Sequence, residues 1–168
     1  MDKELKARLN KMNKIREDLK VAEKSASKDI MDVLKKMMAD NPLITGVKWQ
    51  QYTPSFNDGE PCEFSISGPF IKFDEKISGA GDSAADEEQE NGGFLDANYD
   101  IDDDFFKQKS DIFNFKEIKA LKKTVKDVCA VYSHLEAMDD CLESMFGSGV
   151  EVIVTKDGVE TEDYDCGM

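Results

Sequence analysis

The four cysteines, at 62, 129, 141 and 166, and the single histidine, His134, are the side chains whose types could hold a metal or supply a nucleophile. Zinc accepts both kinds of ligand. The spacing argues against it. Cys129 lies five residues before His134 and Cys141 seven after it, so neither falls at the i+3 or i+4 step that brings two side chains together on a helix. A Cys–His nucleophile pair would need the same closeness, and nothing in the neighbouring residues marks a thiol as activated. There is no C-x-x-C, and Cys129 and Cys141 sit in one helical stretch, about 18 Å apart along its axis, beyond disulfide reach. The expectation is four reduced thiols, with no metal and no cofactor. The stretch Asp100-Ile101-Asp102-Asp103-Asp104, with Asp111 at the twelfth position, echoes a calcium loop. Its sixth position is Phe105 where the sharp turn requires glycine, so the expectation is a solvated acidic stretch.

Binding chemistry is better served by residues 52–62. Two prolines and Asn57-Asp58-Gly59 build a loop flanked by aromatic residues. It is positioned to present Trp49, Tyr52, Phe56, Asn57 and Asp58 to a ligand, and loops on a rigid scaffold carry function disproportionately. The plainer alternative is a long hairpin connection whose aromatics cover the core. The run Trp49-Gln50-Gln51-Tyr52-Thr53-Pro54-Ser55-Phe56-Asn57-Asp58-Gly59-Glu60-Pro61-Cys62-Glu63-Phe64 resembles a segment of uncharacterised small accessory proteins of tailed bacteriophages. The resemblance covers 16 of the 168 residues. It implies a phage gene product acting in the cytoplasm of the infected bacterium. It carries over no catalytic residue.

The charge is uneven. The formal net charge is −14, which repels nucleic-acid phosphates and favours basic partners. Residues 1–36 nevertheless hold eleven basic and seven acidic side chains, while residues 74–104 hold twelve acids and one lysine. Lys116, Lys119, Lys122, Lys123 and Lys126 crowd one helix start, the wrong end for the helix dipole. If the long helices pack antiparallel, these lysines are expected near Lys20, Lys24 and Lys28, forming a basic pole on which the acidic segment could fold back.

The elements that must position these groups follow from periodicity. Leu5, Leu9, Met12, Ile15, Leu19, Ala22 and Ala26 recur at steps of three and four, one apolar stripe close to a coiled-coil seam. Ser25-Ala26-Ser27 either breaks this helix, with Ser27 capping a second piece, or is passed through. Asn41-Pro42 ends the arm. Val47–Tyr52 and Cys62–Ile66 alternate as strands of a hairpin, and Pro69–Phe73 reads as a third strand after a turn at Gly68. Residues 78–93 read as mobile, because they can bury little apolar surface. The aromatic residues that follow, from Phe94 to Phe106, stand among acids in a pattern that can dock on a partner. Asn114 with Glu117 forms a capping box. A long helix over 115–146 then runs from Ile118 to Met145 at steps of three and four, and Gly147 stops it. Asp157-Gly158 between alternating runs marks a C-terminal hairpin over 150–163.

The fold expected is therefore α+β and a single domain. A helical arm (1–41) and the 115–146 helix form two long antiparallel rods, with a small antiparallel sheet made by hairpins at 46–73 and 150–163. No secretory apolar region opens the chain and no run of about 18 apolar residues occurs, so no membrane is expected. Without a phosphate-binding, dinucleotide, zincin or nucleophile-elbow motif, the chain reads as a binding protein rather than an enzyme. The function expected is an accessory protein that binds and modulates a host or phage protein, itself a homo-oligomer, with no direct nucleic-acid partner. The alternatives are an acidic DNA mimic that inhibits a nucleic-acid-binding enzyme, a minor virion or assembly protein, and a small-ligand binder or enzyme using the 52–62 loop.

Overall fold

The computed structural model describes residues 2–54, 58–78 and 92–165. The chain is α+β, as the periodicity requires. Helix α1 spans Lys3–Asp40 and is followed by strands β1 (Ile44–Tyr52) and β2 (Ser65–Phe73). A single turn α2 (Glu75–Ser78), the short strand β3 (Phe94–Asp96) and helix α3 (Asp103–Lys109) come next. Helices α4 (Phe115–Glu136) and α5 (Asp139–Phe146) precede the hairpin β4 (Val150–Thr155) and β5 (Gly158–Asp163). The five strands form one antiparallel sheet in the order β3-β2-β1-β4-β5.

Strand alternation decides what the sheet turns toward the helices. Val47 pairs with Ile71 and Val154, and Trp49 with Val152. All five are fully buried and pack with Leu34, Met38, Leu121, Val128 and Leu135 of the helices. The helix pair runs antiparallel. Asn41 Nδ2 donates to Thr124 Oγ1 at 3.1 Å at one end, and Ser27 lies against Cys141 at the other.

Several sequence expectations shift in detail. The last long helix is interrupted at Ala137-Met138, although its apolar spacing runs straight through. Asp139 and Asp140 supply a fresh acidic first turn, and the Asp139 carboxylate accepts from the Asp140 N–H at 2.8 Å, competing with helical hydrogen bonding. Ser27 is no cap. It lies inside an unbroken α1, and its hydroxyl donates back to the Glu23 carbonyl at 2.9 Å. Gly68-Pro69 is no turn either. Both residues lie inside β2, which carries an extra residue where Lys48↔Phe70 is followed by Gln50↔Ser67. This is a bulge, and at φ 147° a Cβ on Gly68 would stand 3.2 Å from the Lys48 carbonyl oxygen. The paired strand begins at Ser65 rather than Cys62.

The part of the acidic segment from residue 92 onward lies against the body. Residues 79–91, most of the stretch read as mobile, lie outside the described residues. Beyond them Phe94, Leu95, Phe105 and Phe106 are buried. Leu95, Phe105 and Phe106 join the protein's own core, with the Phe105 ring 5.2 Å from that of Phe73, while Tyr99 is exposed.

Tyr132 is the one exception to polar satisfaction among the described buried side chains. Its hydroxyl has no hydrogen-bond partner, and its ring stacks 6.5 Å from Trp49. Burial first, then the Glu136 and Asp96 carboxylates, push its pKa well above the usual tyrosine value of 10.0. A raised pKa contributes stability that is complete below the unfolded value and is lost as pH climbs through the folded one. Above pH 10, unfolding free energy should fall by about 1.4 kcal/mol per pH unit on account of this group. Tyr132→Phe should remove that slope, and at pH 7 it should leave stability within about 1 kcal/mol, because no hydrogen bond is lost. Denaturant titrations from pH 7 to 11 measure both effects.

Candidate functional site

Three of the residues expected to bind through the 52–62 loop are described, and they differ in burial. Trp49 is fully buried, with its indole N–H donating to Gln51 Oε1 at 3.1 Å. It is a core residue and cannot meet a ligand, a correction that follows from its register opposite Val152 on the helix-facing side of the sheet. Tyr52 is half-buried and packs its ring 5.7 Å from Tyr164. Phe56 and Asn57 lie outside the described residues. Asp58 is exposed, at φ 40° beside Gly59 at φ 87°, a left-handed pair that turns the chain. The loop's near end is fastened to the 147–149 turn, since the Thr53 N–H donates to Ser148 Oγ at 2.8 Å and the Gly149 N–H to the Gln51 carbonyl at 2.9 Å. These contacts are those of a docked hairpin connection.

The other chemistry-bearing residues also find structural roles. Asp102 caps α3 by accepting from the Phe105 N–H at 2.9 Å, and Asp100 accepts from the Asp96 N–H at 2.9 Å. Asp103 and Asp104 pair with Lys122 and Lys107. His134 is exposed near the end of α4. Cys141 is buried and Cys62 exposed. Burial, then the Asp96 carboxylate, push the half-buried Cys129 thiol upward in pKa, the reverse of an activated nucleophile.

The structure does assemble a basic groove, from residues that the sequence showed only as a crowded helix start. Lys116, Lys119, Lys123 and Lys126 stand at steps of three, four and three along α4, one line of ammonium groups on its solvent side. Beside this line, α4 and the 97–106 segment enclose an open cavity of about 800 Å³. Its floor is apolar: Ala97, Ile101, Phe106, Ala120, Val125 and Cys129. Five lysines and Asp103 form the rim. Lys122 reaches Asp103 at 3.0 Å and lies over the Phe106 ring at 5.3 Å, tying α3 to α4. That ion pair, first through its hydrogen bond, holds the Asp103 carboxyl below its ordinary pKa. Lys123 pairs with Asp127 on its own helix. Among the described residues, Lys116, Lys119 and Lys126 make no ion pair.

The basic pole expected from Lys20, Lys24 and Lys28 joining these lysines does not form. The helices run antiparallel, but they are offset. Asn41 rather than Lys24 meets the early part of α4, while Ser27 meets α5. Lys20–Lys28 therefore lie at the other end of the pair. A groove with an apolar floor and a cationic rim can hold a ligand that is both anionic and apolar. No helix among the described residues is long and apolar enough to cross a membrane. No family model, curated protein or solved structure matches the chain.

Proposed function

We propose that this chain is a non-enzymatic accessory protein of a tailed phage that binds and modulates a host or phage protein. It does so by seating an acidic, apolar-bearing segment of that partner in the groove along α4. The observation that carries the reading is the line of lysines beside an apolar floor on a chain whose net charge is −14. Such a chain repels polyanions at long range, so phosphate-rich nucleic acid is a poor occupant. A short acidic peptide with one or two large apolar side chains fits both the rim and the floor. The phage origin rests on the 49–64 resemblance alone.

Affinity capture from infected cells tests the reading when the wild type is compared with Lys119→Glu/Lys123→Glu. Each exposed charge pair contributes about 0.2–1 kcal/mol, and reversal replaces attraction by repulsion at two sites. The partner's affinity should fall by roughly ten- to a hundredfold, while Lys119→Arg/Lys123→Arg binds as the wild type does. Added salt should weaken the wild-type complex. A partner held equally well by the reversed variant would place the contact elsewhere and reject this site.

A further inference from the structure

We propose that the projecting half of α1 is a dimerisation arm whose occupant is the same arm of a second copy, running antiparallel. This stands independently of the α4 groove, because the two surfaces share no residue.

Only the second half of α1 packs on the body. Its buried residues are Ser27, Met31, Leu34 and Met38, whereas every residue from Asp2 to Ala22 is exposed. The arm is about 33 Å of helix carrying Leu5 at 49%, Leu9 at 40%, Met12 at 49%, Ile15 at 57% and Leu19 at 57% exposure. A free-standing helix of this length is marginal in water, since helix stability comes mainly from packing an apolar face. The local supports are few: the Asp2 cap, with the Glu4 N–H donating to Asp2 Oδ1 at 3.3 Å, and the Arg8–Glu4 pair at 2.7 Å.

The pattern selects the occupant. Leu5, Met12, Leu19 and Ala26 repeat every seven residues, and Ile15 and Ala22 fill the companion column. Glu4, Lys11 and Asp18 flank the seam on one side, and Leu9, Arg16 and Glu23 on the other. A parallel partner in register would set Lys11 against Arg16 and Asp18 against Glu23, like against like at every charged step, and would place Arg8 opposite its own copy in the seam. Reversing the partner changes the sign. With Met12 opposite Ile15 of the other copy, Leu5 meets Ala22 and Lys11 meets Asp18, twice by symmetry. Arg16 then lays its aliphatic stem along Leu9. The same register brings Lys3 level with Lys24, so the overlap spans the whole projecting arm and leaves the two bodies at opposite ends. A surface that complements itself under a two-fold axis is what a closed homodimer uses.

Sedimentation of the full chain across a concentration series reads this directly. The wild type should be a dimer. Lys11→Glu should weaken dimerisation about tenfold, because two attractive flanking pairs become repulsive. Lys11→Glu/Asp18→Lys should restore it. Both substituted positions are solvent-facing in the single chain, so the body's fold, followed by circular dichroism, should be unchanged. A wild type that remains monomeric at about 100 μM, or a Lys11→Glu variant that dimerises as well as or more tightly than the wild type, would overturn the proposal; the tighter case is the signature of parallel arms.

Discussion

Gln51→Leu is expected to lower the unfolding free energy by about 3 kcal/mol, although it exchanges a polar side chain for an apolar one in the core. Gln51 is fully buried in β1, and its amide is used on both sides. Its oxygen accepts from the Trp49 indole N–H at 3.1 Å. Its nitrogen donates to the Leu142 carbonyl at 3.1 Å and to the Gly147 carbonyl at 2.6 Å. The Gly147 carbonyl follows the last turn of α5, where oxygens lack partners within the helix. One side chain thus caps α5, anchors the turn into β4 and fixes the tryptophan ring. Leucine would fill similar space but leave the Trp49 indole N–H and the Gly147 carbonyl without this partner, at about 1–3 kcal/mol for each group that water cannot reach. Relaxation of the exposed Ser148 turn should recover part of that cost. Equilibrium denaturation of the variant, with tryptophan fluorescence as one probe, measures the loss. A change below 1 kcal/mol would show that the network contributes little.

Lys48→Met should cost about 3 kcal/mol, and adding Glu151→Leu should recover most of it. Lys48 points to the side of the sheet away from the helices, yet its side chain is only 4% exposed and that of Glu151 14%. The ammonium lies 3.3 Å from both Glu151 carboxylate oxygens and 4.7 Å from the centre of the Phe94 ring. Removing one member of a buried pair leaves the other charge uncompensated, whereas replacing both with apolar groups of similar volume is often neutral or better. Gln50 Nε2, which donates to Glu151 at 3.0 Å, softens the single loss. A double-mutant cycle by denaturant titration gives the coupling. If both single variants and the double were equally stable, the pair would be energetically idle.

These two sites show what kind of information the sequence lacked. Lys48 reads as a polar member of an alternating strand. Gln51 falls on the face of Val47 and Trp49 by the same alternation, but nothing along the chain names the carbonyls that its amide meets. Gln51 is buried because Trp49, two residues earlier on the same face, is covered by α4 and α5. Lys48 is buried because β3 brings Phe94 over its stem and β4 brings Glu151 alongside. Both partners come from distant parts of the chain.

What the sequence determined by itself is what local physics governs. Steps of three and four wrote the helices. The Asn114–Glu117 capping box forms as read, with both of its hydrogen bonds present. The β4–β5 hairpin forms, with its turn at Lys156-Asp157 and Gly158 already paired with Thr155; Asn41-Pro42 ended α1, and Gly147 ended α5. Each of these depends on a residue and its neighbours within a turn or two. The tertiary structure alone decided the offset of the two helices, the bulge at Gly68, the burial of Trp49, and the burial of Phe94, Phe105 and Phe106 while Tyr99 stays exposed. It also decided that five lysines on one helix would face an apolar floor built from residues 97–106. Apolar stripes of similar length can pair in several registers with almost the same local energy, and only the close fit of helices on the sheet selects one.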